Sequence, residues 1–132
     1  MAAEISQCAQ LTLNGRRVLL IEDEYFIADD VRKAIEQAGG TVVGPANSLA
    51  SAQRRIEQGG FDCVVLDLNL NGENAISIAD LLVADGREFV IATGYGSPVI
   101  PERLKSVPRI EKPFDPAALL RLVSQLDCGR VA

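Results

Sequence analysis

A chain of 132 residues, 48% hydrophobic and 23% charged, fits one domain with one core and lacks the composition of a disordered segment. Its formal charge of −5, without a Lys/Arg run, argues against partners such as nucleic acid or anionic membrane. The absence of histidine excludes His-ligated zinc, Ser-His-Asp triads and a phosphohistidine acceptor within the chain.

Residues 1–15 read as an N-terminal lead-in. They carry Glu4 and no long apolar core, so they do not resemble a signal peptide, and Asn14-Gly15 marks a turn before the first strand. Residues 16–21 form a short apolar run expected to be a buried strand. A helix is predicted over 24–38, with Phe26, Ile27, Val31, Ala34, Ile35 and Ala38 inward and Gly39-Gly40 as its stop. Thr41 to Gly44 is the second strand, closed by Pro45. Ser48 caps a helix running to Gln58, with Leu49, Ala52 and Ile56 inward. Residues 62–66 are a third strand, apolar on both faces. A helix follows over 73–84, burying Ile76, Ile78, Ala79, Leu82 and Val83.

Residues 89–92 are the fourth strand. Pro98, Pro101 and Pro108 interrupt the stretch 94–108, so the fourth helix is expected to be short or poorly formed. Residues 107–110 are the fifth strand. Asp115 and Pro116 then open a helix over 115–126, as N-cap and first-turn proline. Five βα units with right-handed crossovers give a parallel sheet covered by helices on both faces. The domain is placed at 16–127, with 128–132 as a tail. Cys8, Cys63 and Cys128 show no CxxC spacing and read as free thiols, Cys63 as a small buried hydrophobe. No apolar run approaches the ~20 residues that span a bilayer, and a cytoplasmic location is expected.

Four of the apolar runs end in polar residues: Glu22-Asp23 after Val18-Leu19-Leu20-Ile21, Asp67 after Cys63-Val64-Val65-Leu66, Thr93 after Phe89-Val90-Ile91-Ala92, and Lys112 beyond 107–110. The C-terminal ends of parallel strands converge on one crevice, where ligands bind. A carboxylate can attack phosphorus to form an acyl phosphate, which makes Asp67 the candidate reacting group. Glu22, Asp23 and Asp67 offer hard oxygens suited to Mg²⁺, and the backbone carbonyl of Asn69 is a further candidate ligand. Lys112 brings a compact positive charge and Thr93 a hydroxyl donor. Loose backbone N–H groups over 68–71 are further candidates to face a phosphate. Each residue also has a plain alternative: a first-turn acidic pair, a turn-starting Asp, a turn hydroxyl or a solvated loop lysine. All four positions close strands, which favours a shared site.

At these residues the chain resembles the receiver domain of two-component response regulators. The likeness covers 16–126 and rests on Val18-Leu19-Leu20-Ile21-Glu22-Asp23-Glu24, Val64-Val65-Leu66-Asp67-Leu68-Asn69-Leu70, Ala92-Thr93-Gly94 and Lys112-Pro113-Phe114. The resemblance implies a flavodoxin-like doubly wound α/β fold with strand order 2-1-3-4-5. It also implies that Asp67 is the phosphoacceptor, Glu22 and Asp23 the metal-binding acids, Thr93 the switch hydroxyl and Lys112 the site lysine. Asp23 is then the direct metal ligand, and Glu22 acts through water. Most receivers carry Tyr or Phe three residues before the lysine, where this chain has Arg109; Tyr95 follows Thr93 instead. This is similar to a subgroup named for a Phe-Ala-Thr-Gly-Tyr signature, with Ile91 in place of its Phe. The expected switch is therefore Thr93, Tyr95 and an order–disorder change over 94–108.

The resulting expectation is a stand-alone response regulator, monomeric or weakly dimeric. It would take a phosphoryl group from a sensor histidine kinase, of the HWE or a related type, or from a phosphotransfer protein. Only 127–132 follow the last helix, so no DNA-binding output is expected. Signalling would run by contact with a downstream protein, or the chain would serve as a phosphate sink. Catalysis is limited to the chain's own phosphorylation and dephosphorylation. The alternatives are a pseudo-receiver that only binds partners and an aspartyl-nucleophile phosphatase or phosphotransferase. Haloacid dehalogenase-type enzymes place Asp-x-Asp after an early strand, whereas Asn69 stands two residues after Asp67 here. A flavodoxin-like cofactor site would need a Ser/Thr-rich loop after the first strand, and none is present.

Overall fold

In a computed structural model that describes residues 12–128, five parallel strands form one sheet: β1 (Arg17–Ile21), β2 (Thr41–Ala46), β3 (Cys63–Asp67), β6 (Glu88–Thr93) and β7 (Arg109–Glu111). Their order is β2-β1-β3-β6-β7, which is 2-1-3-4-5 among the parallel strands. Four α-helices connect or flank them: α1 (Tyr25–Gln37), α2 (Leu49–Gln58), α3 (Ile76–Ala84) and α4 (Pro116–Gln125). This is the flavodoxin-like doubly wound arrangement that the resemblance implies, and it contains the parallel sheet expected from the alternating pattern. No helix among the described residues is long and apolar enough to cross a membrane.

Strand alternation divides the interior into two layers. Leu19, Ile21, Val64, Leu66, Phe89 and Ile91 face one side and pack with Ala52 and Ile56 of α2 and Ile78, Ala79 and Leu82 of α3. Val18, Leu20, Cys63, Val65 and Val90 face the other, against Ala28, Val31 and Ile35 of α1 and Leu119 and Val123 of α4. All five residues of β3 are buried, as a central parallel strand requires. The helix starts follow local chemistry. Ser48 and Ser51 form a capping box on α2, and Asp115 accepts a hydrogen bond from the Ala117 amide ahead of Pro116 at the start of α4.

Several boundaries differ from the sequence reading. β2 continues through Pro45 to Ala46, which an edge strand tolerates. Gly44 makes the bend at φ +99, where a Cβ would lie 2.8 Å from the Ala46 nitrogen. α3 starts at Ile76 instead of residue 73, because residues 69–74 form a hairpin of β4 (Asn69–Leu70) and β5 (Glu73–Asn74). Asn71 and Gly72 both have positive φ at its turn. The fifth parallel strand begins at Arg109, and Val107 packs against the core from the preceding turn.

Phe26 and Val83, expected inward, are 80% and 52% exposed. Ala28, Val31 and Ile35 hold the buried stripe of α1 at helical spacing, and Phe26 falls outside it. Leu13, assigned to the lead-in, is buried, and its amide donates to the Ala38 carbonyl at 2.8 Å. Residues 1–11 with Cys8, and 129–132 of the tail, lie outside the described residues. Cys63 and Cys128 are free thiols, and burial pushes the Cys63 thiol up. The expected fourth helix is a single 3₁₀ turn, Glu102–Leu104, anchored by buried Leu104.

Candidate functional site

Because β1 and β3 are adjacent and in register, the residues after Ile21 and Leu66 emerge side by side. Asp67 is the last residue of β3 and Thr93 the last of β6, while Lys112 directly follows β7. Glu22 and Asp67 are 4% and 3% exposed. The Lys112 Nζ lies 2.8 Å from Asp67 Oδ2 and 3.0 Å from Glu22 Oε1, with Glu24 Oε1 at 3.9 Å. Glu22, Asp23 and Asp67 each offer one carboxylate oxygen within 4.8 Å of the others.

Backbone amides hold each of these acids. Asp67 Oδ1 accepts from Asn69 N at 2.9 Å, Glu22 Oε2 from Glu24 N at 3.1 Å and Asp23 Oδ2 from Asn71 N at 3.0 Å. The hairpin after β3 is thereby tied to the acids after β1. Burial, and after it the charge of Asp67, push the Glu22 carboxyl up to about 7, against the pull of Lys112. Burial works against the Lys112 charge too, but hydrogen bonds to Asp67 and Glu22 outweigh it and hold the ammonium above its ordinary value.

Above this cluster lies an open cleft of about 430 Å³, bordered by Asp23, Asp67, Asn69, Tyr95, Ser97 and Lys112. Asp67, Asp23, Asn69, Lys112 and Tyr95, all singled out from the sequence, therefore share one cleft. Buried Glu22 joins them through Lys112. Thr93 is at the strand end but does not border the cleft, and its hydroxyl makes no hydrogen bond with the described residues. Tyr95 is fully exposed. Asn69 contributes more than a backbone group: its Oδ1 accepts from Gly72 N at 2.8 Å and its amide reaches the Gly96 carbonyl at 3.4 Å. Ser97 was not singled out from the sequence, and Asn71 only for its backbone N–H among residues 68–71. The Asn71-Gly72 pair carried a turn signal, whereas the location of Ser97 follows from a loop fold that no local pattern announces.

Three carboxylates around one ammonium leave excess negative charge, and their donors are all oxygen. That set fits a hard divalent cation such as Mg²⁺, which takes few carboxylates and keeps water. The arrangement can hold such a cation beside a buried carboxylate, with a lysine placed to meet negative charge.

Fold and site together define an α/β module with an acidic pocket at the carboxyl ends of a parallel sheet. Residues 18–124 match the family model of the response regulator receiver domain, and the chain belongs to that family. It is 25% identical over 113 residues to the sensory transduction protein LytT of Bacillus cereus, covering 83% of this chain and 46% of that protein. It is 27% identical over 118 residues to the chemotaxis protein CheY of Thermotoga maritima, covering 85% of this chain and 98% of that one. The chain thus spans about half the length of LytT and nearly all of CheY. The solution structure of SdrG from Sphingomonas melonis Fr1 is similar at a TM-score of 0.74 and 32% identity, covering 84% of this chain and 95% of SdrG. The chain is thus a receiver domain of two-component signalling.

Proposed function

We propose that the protein acts as a stand-alone response regulator whose phosphoacceptor is Asp67. The donor is a phosphohistidine on a sensor kinase of the HWE or a related type, or on a phosphotransfer protein. An Asp67 oxygen attacks phosphorus and the P–N bond to the donor imidazole breaks. The electron pair stays on that nitrogen, which takes up a proton. The observation that carries this reading is the contact of Lys112 with buried Asp67 at 2.8 Å inside an acidic cleft. Glu22, Asp23, Asp67 and the Asn69 carbonyl are the groups that would hold Mg²⁺. Bound there, the ion supplies positive charge that offsets repulsion between the carboxylate and the phosphoryl oxygens. Lys112 moves from Asp67 to a phosphoryl oxygen, and the Asn69 amide keeps the carboxylate oriented.

Thr93 and Tyr95 form the proposed switch. Among residues 94–108 the sole helical piece is one 3₁₀ turn, so phosphorylation can reorder this segment without unwinding an α-helix. Coverage of nearly the whole of CheY and SdrG supports the stand-alone reading. A phosphohistidine donor charged from ATP supports a cytoplasmic location. Output runs through contact with a downstream protein, or the domain drains phosphate from its kinase. Neither nucleic acid nor membrane is needed, and a monomer or weak dimer suffices.

Intact mass after incubation with acetyl phosphate and Mg²⁺ tests the reading. One added phosphoryl group is expected in the wild type and none in Asp67→Ala. No adduct from acetyl phosphate or from a phosphorylated cognate kinase favours a pseudo-receiver. Turnover of phosphate from small esters favours an aspartyl phosphatase.

A further inference from the structure

We propose that Ser97 is a second hydroxyl at the phosphoacceptor, donating a hydrogen bond to the phosphoryl group on Asp67; this rests on the phosphoacceptor reading above. Ser97 borders the same cleft as Asp67, Asn69 and Lys112, and Thr93 does not. The Ser97 Oγ accepts a hydrogen bond from Gly94 N at 2.9 Å, so one lone pair is engaged. Its O–H has no acceptor among the described residues and is free to donate into the cleft.

The hydroxyl is held in place from several sides. Ser97 N donates to the Gly94 carbonyl at 3.0 Å and closes the turn. The Asn69 side-chain amide reaches the Gly96 carbonyl at 3.4 Å, tying this turn to the loop that follows Asp67. Lys112 N donates to the Thr93 carbonyl at 2.7 Å. A Cβ on Gly94 would stand 3.3 Å from the Lys112 Cβ and Cδ, so the turn rests on the stem of that lysine. The turn that carries Ser97 is therefore fastened to both Asn69 and Lys112, the residues that contact Asp67. A phosphoryl group brings three acceptor oxygens, more than Lys112 alone can satisfy. A pre-placed O–H donating to an anionic oxygen is a short, charge-assisted bond. Thr93 is not among the residues that line the cleft, whereas Ser97 is.

The test uses beryllofluoride with Mg²⁺ as the phosphoryl mimic, read by ¹⁹F NMR in H₂O and D₂O. In the wild type, one bound fluorine is expected to show a solvent-isotope shift from the Ser97 O–H. Ser97→Ala is expected to lose that shift and weaken affinity about tenfold, as for one hydrogen bond to a charged acceptor. Ser97→Thr is expected to restore both. A serine that only shapes the turn would leave the isotope pattern of Ser97→Ala as in the wild type. That result, or an affinity change below about twofold, overturns the proposal. A wild type that binds no beryllofluoride overturns the phosphoacceptor reading itself, and this inference with it.

Discussion

Lys112 reaches across 45 residues of sequence to place its ammonium 2.8 Å from Asp67, the last residue of the central strand. The same nitrogen lies 3.0 Å from Glu22, so one cation holds two buried carboxylates that would otherwise repel. Lys112→Ala leaves those charges uncompensated and is expected to cost about 2–4 kcal/mol in metal-free buffer. Adding Mg²⁺ is expected to recover part of that loss. Urea unfolding with and without Mg²⁺ measures both effects; an unchanged midpoint for the variant contradicts the assignment.

Glu22 makes stability depend on pH in a specific direction. Its carboxyl is raised from the ordinary 4.5 to about 7, so the folded state binds its proton more tightly than the unfolded chain does. The corresponding stability is fully present below about 4.5 and is lost as pH rises through about 7. Glu22→Gln removes that loss, so the variant is expected to gain on the wild type from pH 5 to 8, on the order of 2 kcal/mol. Urea melts at each pH in chelator check this, and a constant difference across the range counts against it.

Leu104 anchors the proline-rich segment. It is 1% exposed, while Arg103 bridges to Asp80 at 2.9 Å on the surface of α3. Leu104→Ala is expected to cost about 2–4 kcal/mol through the cavity it leaves. Asp80→Asn is expected to leave stability nearly unchanged, because the pair is solvated. Hydrogen exchange over residues 98–108 is expected to accelerate strongly in the first variant and slightly in the second.

Tyr95 is fully exposed and packs on nothing that stabilises the fold. Tyr95→Ala is therefore expected to shift stability by no more than about 0.5 kcal/mol. Its effect is expected in partner affinity, with a smaller difference between the phosphorylated and unphosphorylated forms. Titration of the partner with both forms decides this; equal affinities for variant and wild type in each form rule out a switch role.

The strands were legible because each is a short apolar run, and the acids and Lys112 were legible because they close those runs. The hairpin around Asn71-Gly72 was not read from the sequence, which expected only a turn after Asp67 and a helix from residue 73. Its second strand, Glu73–Asn74, is two residues long, too short for a strand pattern to show. Phe26 and Val83 were misplaced because a count of apolar residues at helical spacing does not show where the buried stripe ends. Leu13 lies before the first strand and is recruited to the core by the turn at Asn14-Gly15, a tertiary effect. Which hydroxyl borders the cleft was not legible, because that depends on how the turn after Thr93 rests on Lys112 and Asn69.

The most direct test is to phosphorylate the protein, reduce it with borohydride and map the product by peptide mass spectrometry. An aspartyl phosphate is reduced at its acyl carbon to the alcohol, converting that residue to homoserine. Homoserine at position 67, absent when Mg²⁺ is chelated, is the expected result. Homoserine at Asp23 or another aspartate, or 2-amino-5-hydroxypentanoic acid at Glu22, with Asp67 intact, would contradict the account.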